Sequence, residues 1–148
     1  MKKIRTCVVI ADGARAKIFI NDGPGMGLKA MENGEFEKTS EPSRELGNDR
    51  PGRTRDSQSG IRHAVEGTDF HLNEKLHFIG ELAKIINIKA ANNEFERIIL
   101  VAPPKILGDM KKKLDKHSTS IMKDSLAKDL THFKIDELSK HLKEVMVL

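Results

Sequence analysis

The chain has 148 residues, enough to bury one hydrophobic core, and we expect a single domain over residues 1–148. With 38% apolar and 32% charged residues it is typical of a soluble globular protein, and no apolar run approaches the roughly 20 residues of a membrane-spanning helix. The net charge of +4, with six phenylalanines but no tyrosine or tryptophan, argues against base-stacking recognition and leaves contact with phosphates open.

The amino-terminal region imitates a secretion signal only superficially. The apolar stretch from Cys7 to Ala11 is five residues long, shorter than the roughly 7–15 residues that a signal needs. We therefore expect an unprocessed cytoplasmic chain without membrane insertion. Cys7, the only cysteine, is interpreted as a small buried strand residue.

The first part of the chain predicts three antiparallel strands. Ile4 to Ala11 is an apolar, β-branched run typical of a strand buried on both faces. Asp12-Gly13 is a favoured two-residue turn signal, and Ala14 to Ile20 then alternates apolar with charged residues. A glycine-rich turn leads to a third predicted strand from Leu28 to Glu32.

Residues 41–67 show neither helical nor strand periodicity and predict a long basic loop. Arginine is concentrated there, because five of the eight arginines fall between residues 44 and 62: Arg44, Arg50, Arg53, Arg55 and Arg62. Guanidinium groups offer several planar donors to phosphate oxygens. We therefore interpret these arginines, together with His63, as an anion- or RNA-binding set, with Gln58 as a candidate residue at the loop tip.

The alternative for this loop is purely structural. Glu45, Asp49 and Asp56 could pair with the arginines and hold the loop against the body of the protein. Three carboxylates cannot neutralise five guanidinium groups, so this pairing leaves positive charge over.

The second part of the chain predicts a strand between helices. Helical spacing begins after Thr68-Asp69 and continues through about five turns to Asn92-Asn93. Phe95 to Ala102 predicts an apolar strand that ends at Pro103-Pro104. A short helix, a weaker strand over Ser120 to Leu126 and a carboxy-terminal helix follow. Three antiparallel strands followed by two parallel ones give an α/β fold with a mixed sheet and helices on its faces, as in ribonuclease-H-like folds.

No catalytic constellation emerges from the sequence. A metal-dependent nuclease of this fold needs a carboxylate in the middle of the first strand, whereas Asp12 stands at its end, where the Asp-Gly turn explains it. His71, Glu74 and His77 recur in steps of three rather than four, so we interpret the two histidines as solvent-facing or capping residues. We therefore expect no metal, no cofactor and no catalytic residue, and we favour a non-enzymatic protein over an enzyme acting on a small phosphorylated substrate.

Two polar segments have modest interpretations. Lys111, Lys112, Lys113 and Lys116 are interpreted as a solvated helix face. The segment from Lys128 to His132 joins the last strand to the last helix, and it either caps that helix or faces the basic loop.

Four segments together are specific: VVIADGARAKIF (Val8 to Phe19), GNDRPGRTRDSQSGIRHAVE (Gly47 to Glu66), ILVAPPKILG (Ile99 to Gly108) and KDLTH (Lys128 to His132). In this order they resemble the bacterial host-attachment family, described as proteins required for attachment to host cells. The resemblance covers nearly the whole chain. It implies a fold related to the middle domain of archaeal and eukaryotic peptide-chain release factors and of Pelota.

In release factors, a loop before the long helix carries Gly-Gly-Gln into the ribosomal peptidyl-transferase centre. The corresponding segment here reads Ser57-Gln58-Ser59-Gly60 and lacks the paired glycines, so the resemblance does not extend to peptidyl-tRNA hydrolysis. Two functions remain open. One is a cytoplasmic binding module whose arginine-rich loop contacts RNA, the ribosome or another phosphate-rich partner. The other is an attachment or interaction protein acting at the cell surface.

Overall fold

A computed structural model describes the backbone of residues 4–38 and 60–148 and the side chains of residues 4–38 and 72–148. Within these ranges the five strands form one sheet with the order β3-β2-β1-β4-β5. The strands are β1 (Thr6–Ala11), β2 (Arg15–Asn21), β3 (Lys29–Glu37), β4 (Arg97–Val101) and β5 (Met122–Leu126). β1 and β3 pair antiparallel with β2, while β4 pairs parallel with β1 and β5. The predicted α/β fold with a mixed sheet is confirmed.

Helices supply the crossovers between the parallel strands. They are α1 (Gly60–Ala91), α2 (Pro104–Lys113), α3 (Lys116–Ser120) and α4 (Ile135–Leu142). α1 precedes β4, and α2 and α3 lie between β4 and β5. None of the helices in the described ranges is long and apolar enough to cross a membrane.

The centre of the sheet is buried on both faces, as the apolar run of β1 predicts. Cys7 and Val9 point into a core formed with α1 and α2, whereas Val8 and Ile10 point into a second core formed with α4. All six residues of β1 are buried. Burial raises the pKa of the Cys7 thiol, while Lys89 lowers it and Glu94 raises it by smaller amounts, so this cysteine is a core residue, as predicted.

The long helix begins earlier than the sequence analysis predicted. α1 starts at Gly60 rather than near Thr68, so the last eight positions of the predicted loop, residues 60–67, are helical. The sequence did contain a signal, because Ile61 and Val65 stand four residues apart, as neighbours on one helix face do. The polar residues Arg62 and His63 between them obscured that spacing.

Two other segments differ from prediction. The weak last strand starts at Met122 rather than Ser120, because Asp115 caps the short helix α3 by accepting the Ser118 N–H at 2.8 Å. β3 continues beyond Glu32 to Glu37 through an irregularity in its pairing with β2. Asn33 takes a φ of 56° at that point, a conformation that asparagine tolerates better than most residues.

Candidate functional site

A polar cluster forms where β1 ends and where β5 leads into α4. We define it by four residues: Asp12, which follows β1, and Asp129, Thr131 and His132, which lie between β5 and α4. The carboxyl ends of parallel strands are the usual position of ligand sites in open α/β sheets. The fold therefore places the cluster where function is commonly found.

Asp12 is fixed in place by its own turn. Its Oδ1 accepts the backbone N–H groups of Ala14 at 2.7 Å and Arg15 at 2.8 Å, and the Asp12 N–H donates to the Arg15 carbonyl at 2.9 Å. The carboxylate closes the hairpin. Gly13, the glycine of the predicted Asp-Gly turn, does not take a positive φ. The turn thus accounts for only one of the two carboxylate oxygens, so our explanation of Asp12 from the sequence was incomplete.

The second oxygen of Asp12 meets Thr131. The Thr131 Oγ1 lies 2.9 Å from Asp12 Oδ2 and 2.9 Å from Asp129 Oδ1. The side chain is almost wholly buried, with 1% of its surface exposed. A hydroxyl has one proton to donate, so this single donor lies between two carboxylates.

These contacts decide one of the two predicted roles of the segment from Lys128 to His132, whereas the other, that it faces the basic loop, involves residues outside the described ones. It does not cap α4, because the residue before that helix is Lys134 and no side chain caps it. The segment packs against the Asp12 turn through Thr131 instead, while Lys128 pairs with Glu144 at 2.7 Å.

The surroundings of Asp12 keep it ionised. Partial burial alone would raise its pKa, but the N–H groups of Ala14 and Arg15, the Thr131 hydroxyl and the positive charge of Arg15 together outweigh burial. The net result is a pKa below the ordinary value of an aspartate. A lasting negative charge therefore sits at the end of β1.

Asp129 and His132 complete the cluster on its solvent side. Both are exposed, and one donor atom each from Asp12, Asp129 and His132 lies within 4.8 Å of the other two. The aliphatic part of Lys75, from α1, covers Gly13 so closely that a Cβ there would lie 3.2 Å from it. The arrangement offers two carboxylates and an imidazole to a ligand arriving from solvent.

The site residues predicted from sequence lie elsewhere. Arg44, Arg50, Arg53, Arg55 and Gln58 fall outside the described residues. Arg62 and His63 lie in the first turn of α1, and their side chains are likewise outside the described ones. Their proposed contact with anions stays a prediction.

Sequence analysis missed Asp129, Thr131 and His132 as partners of Asp12. The KDLTH segment was distinctive, yet nothing local indicated its partner, because the contact joins residues 119 positions apart. Only the strand order, which puts β4 between β1 and β5 with all three parallel, brings the two segments to one edge.

A larger concavity lies away from this cluster, between β3 and α1. It encloses about 730 Å³, with an apolar floor that includes Phe36, Phe78 and Leu82. Its rim includes Glu35 and Glu37. This negative rim disfavours a phosphate ligand, so we do not place anion binding there.

Comparison with known proteins identifies the fold and the family. A solved structure of an archaeal translation termination factor, aRF1, matches 97% of this chain with a TM-score of 0.55 and 12% sequence identity. The chain corresponds to 35% of that factor's length, and identity at this level shows a shared fold alone. The curated proteins contain no match to the sequence.

The sequence itself matches one family model over residues 7–142. This range includes the whole polar cluster and, except for Thr6, all five strands. That model is described as "Protein required for attachment to host cells". The chain therefore belongs to the family of proteins required for attachment to host cells.

Proposed function

We propose that the chain is a cytoplasmic binding module for a phosphate-rich partner, namely RNA or the ribosome. Two features support the proposal. The first is the fold shared with part of a translation termination factor. The second is positive charge, part of it on lysines that no carboxylate in the described ranges contacts, and this described part carries the proposal.

The described part of this charge is a group that we call the basic turn. It consists of Lys111, Lys112 and Lys113 at the end of α2 and Lys116 at the start of α3, all exposed. Within residues 4–38 and 72–148, no carboxylate lies within 4.0 Å of any of their ammonium groups. The nearest acid in sequence, Asp115, is engaged as the cap of α3.

The basic turn rests on a fixed support. Asn87 of α1 accepts the Asp115 N–H at 3.0 Å and the hydroxyl of the buried Ser118 at 2.8 Å through one oxygen. These bonds tie the α2–α3 junction to the long helix. Lysines on a fixed support lose less conformational freedom when they meet a phosphate backbone than lysines on a free chain do.

The arginines at residues 44–62 add a second and denser group of cations. Each phosphate that a lysine or arginine neutralises releases condensed counterions, so affinity falls as salt rises. Binding through backbone phosphates also agrees with a chain that has no tyrosine or tryptophan for stacking bases.

Two triple variants test the proposal: Arg50/Arg53/Arg55→Ala and Lys112/Lys113/Lys116→Ala. We expect each to weaken binding to ribosomes or to a structured RNA by about tenfold at low salt, with a shallower dependence on salt, since each lost phosphate contact lowers the slope by about 0.7–0.9. Ribosome co-sedimentation and filter binding over a salt series measure both quantities.

The matched control is Lys134/Lys140/Lys143→Ala, which removes the same charge from exposed positions around α4. We expect less than about a twofold change, because a net-charge effect without contact is small at moderate salt. If the control weakens binding as much as the other two variants, or if none of them does, there is no localised phosphate-binding surface and the proposal is wrong.

The family description favours a second candidate, an attachment protein acting at the cell surface. Fractionation of cells that express the chain, with protease added to intact cells, separates the two candidates. Chain that is degraded by external protease supports the surface role. Chain that is protected and sediments with ribosomes supports the cytoplasmic one.

A further inference from the structure

We infer that the polar cluster is a binding site for one divalent cation, with Asp12, Asp129 and His132 as its ligands. This goes beyond the proposed function, because it concerns different residues and a different ligand. It also revises our expectation from the sequence that the chain holds no metal. That expectation considered the residues of β1 and those of α1 separately.

The spacing of the donor atoms suits a single ion. Metal–ligand bonds of about 2.0–2.2 Å place two ligands of one ion at most about 4.4 Å apart. In the polar cluster, one donor atom from each of the three residues lies within 4.8 Å of the others. Small rotations of the two exposed side chains, Asp129 and His132, close the remaining difference.

The charges of the cluster also indicate a cation. Asp12 and Asp129 both approach the Thr131 hydroxyl at 2.9 Å, and its one proton serves only one of them fully. No lysine or arginine in the described ranges lies within 4.0 Å of either carboxylate. Arg15 acts on Asp12 only from beyond ion-pair distance, so no described cationic side chain pairs directly with the two carboxylates, and a cation bound between them supplies the missing counter-charge.

The cluster combines a fixed ligand with accessible ones. The hairpin holds Asp12 through Oδ1 and leaves Oδ2 toward the cluster. Thr131 is buried and lies within hydrogen-bond distance of both carboxylates. It therefore orients them, as hydrogen-bonding groups next to metal ligands commonly do. Asp129 and His132 face solvent, so an ion has a path of entry and keeps coordination positions for water.

The ligand types select among metals. Two carboxylates and one imidazole suit Mn²⁺ or Zn²⁺ better than Mg²⁺ or Ca²⁺, which prefer sites made of oxygen alone. We therefore expect the full chain, without an affinity tag and treated first with a chelator, to bind one equivalent of Zn²⁺ or Mn²⁺ more tightly than Mg²⁺. Isothermal titration calorimetry measures this, and Mn²⁺ should broaden the imidazole NMR signals of His132 before those of the other five histidines.

Variants locate the site. Asp129→Asn and His132→Gln are expected to weaken Zn²⁺ and Mn²⁺ binding at least tenfold. Their exposed positions favour an intact fold, which circular dichroism verifies. The controls Asp136→Asn and His117→Gln make the same chemical changes at exposed positions outside the cluster and should leave affinity unchanged.

The inference is overturned if the chain shows no saturable binding of either ion, or if the cluster variants and the controls bind alike. Preferential broadening of another histidine would also overturn it. RNA binding measured with a chelator present tests the proposed function separately, so either hypothesis can fail while the other stands.

Discussion

Thr131→Val should lower the free energy of unfolding by about 1.5–3 kcal/mol, the usual range for losing a hydrogen bond to a charged group. Valine keeps the shape of threonine but removes the hydroxyl, which is the described side-chain donor to Asp12 Oδ2. Because Thr131 is almost wholly buried, water replaces the lost donor poorly. Urea denaturation followed by circular dichroism, with a chelator present, measures the effect.

The loss should depend on pH in a defined direction. The folded-state pKa of Asp12 lies below its unfolded value, so ionised Asp12 contributes stability above the unfolded pKa and loses that contribution as pH falls through the folded pKa. The hydroxyl of Thr131 is one cause of this lowered pKa. The difference between wild type and Thr131→Val should therefore be largest near neutral pH and shrink in acid.

Thr119→Val is the matched control, since it makes the same change at an exposed position of α3. We expect an effect within about 0.5 kcal/mol, as is usual for surface substitutions. Equal losses in the two variants, or a loss at Thr131 that does not vary with pH, would show that the bond to Asp12 contributes nothing.

Gly34→Ala and Gly80→Ala should change stability in opposite directions. A Cβ at Gly34 would lie 2.8 Å from the Met31 carbonyl oxygen and 2.9 Å from that of Ile18, so the backbone of β2 or β3 must move. We expect a loss of about 1–3 kcal/mol, as for other overpacked sites. Thermal and urea unfolding of both variants measure the contrast.

Gly80 lies within α1, and a Cβ there meets nothing within 4 Å. Alanine should therefore stabilise the protein by about 0.5–1 kcal/mol, because it restricts the unfolded chain and favours the helix. A loss at Gly80, or no loss at Gly34, would contradict the packing described for α1 and for the β2–β3 pairing.

The types of the elements and their succession along the chain could be predicted because their signals are local. The continuous apolar run of β1 indicated burial on both faces, and the alternation in β2 indicated an antiparallel partner. Helical spacing between the later strands then required parallel crossovers. The start of α1 was missed because Arg62 and His63 interrupt an apolar spacing that Ile61 and Val65 continue.

The polar cluster could not be predicted for a different reason. The sequence offers a local explanation for Asp12 in its turn, although it accounts for only one carboxylate oxygen, and Thr131 looks like an ordinary loop residue. Their contact depends on how strands far apart in sequence are ordered, and no spacing rule reports that order. The arginine-rich segment is the opposite case, because its composition alone marked it as a candidate binding site.

The 119-residue separation between Asp12 and Thr131 has a consequence for biosynthesis. During translation the hairpin of β1 and β2 is made well before the threonine that completes its carboxylate's hydrogen bonding. Nascent chains arrested before that point carry an aspartate without its distant donor. The contact therefore forms only after the helices and strands between the two residues have been made.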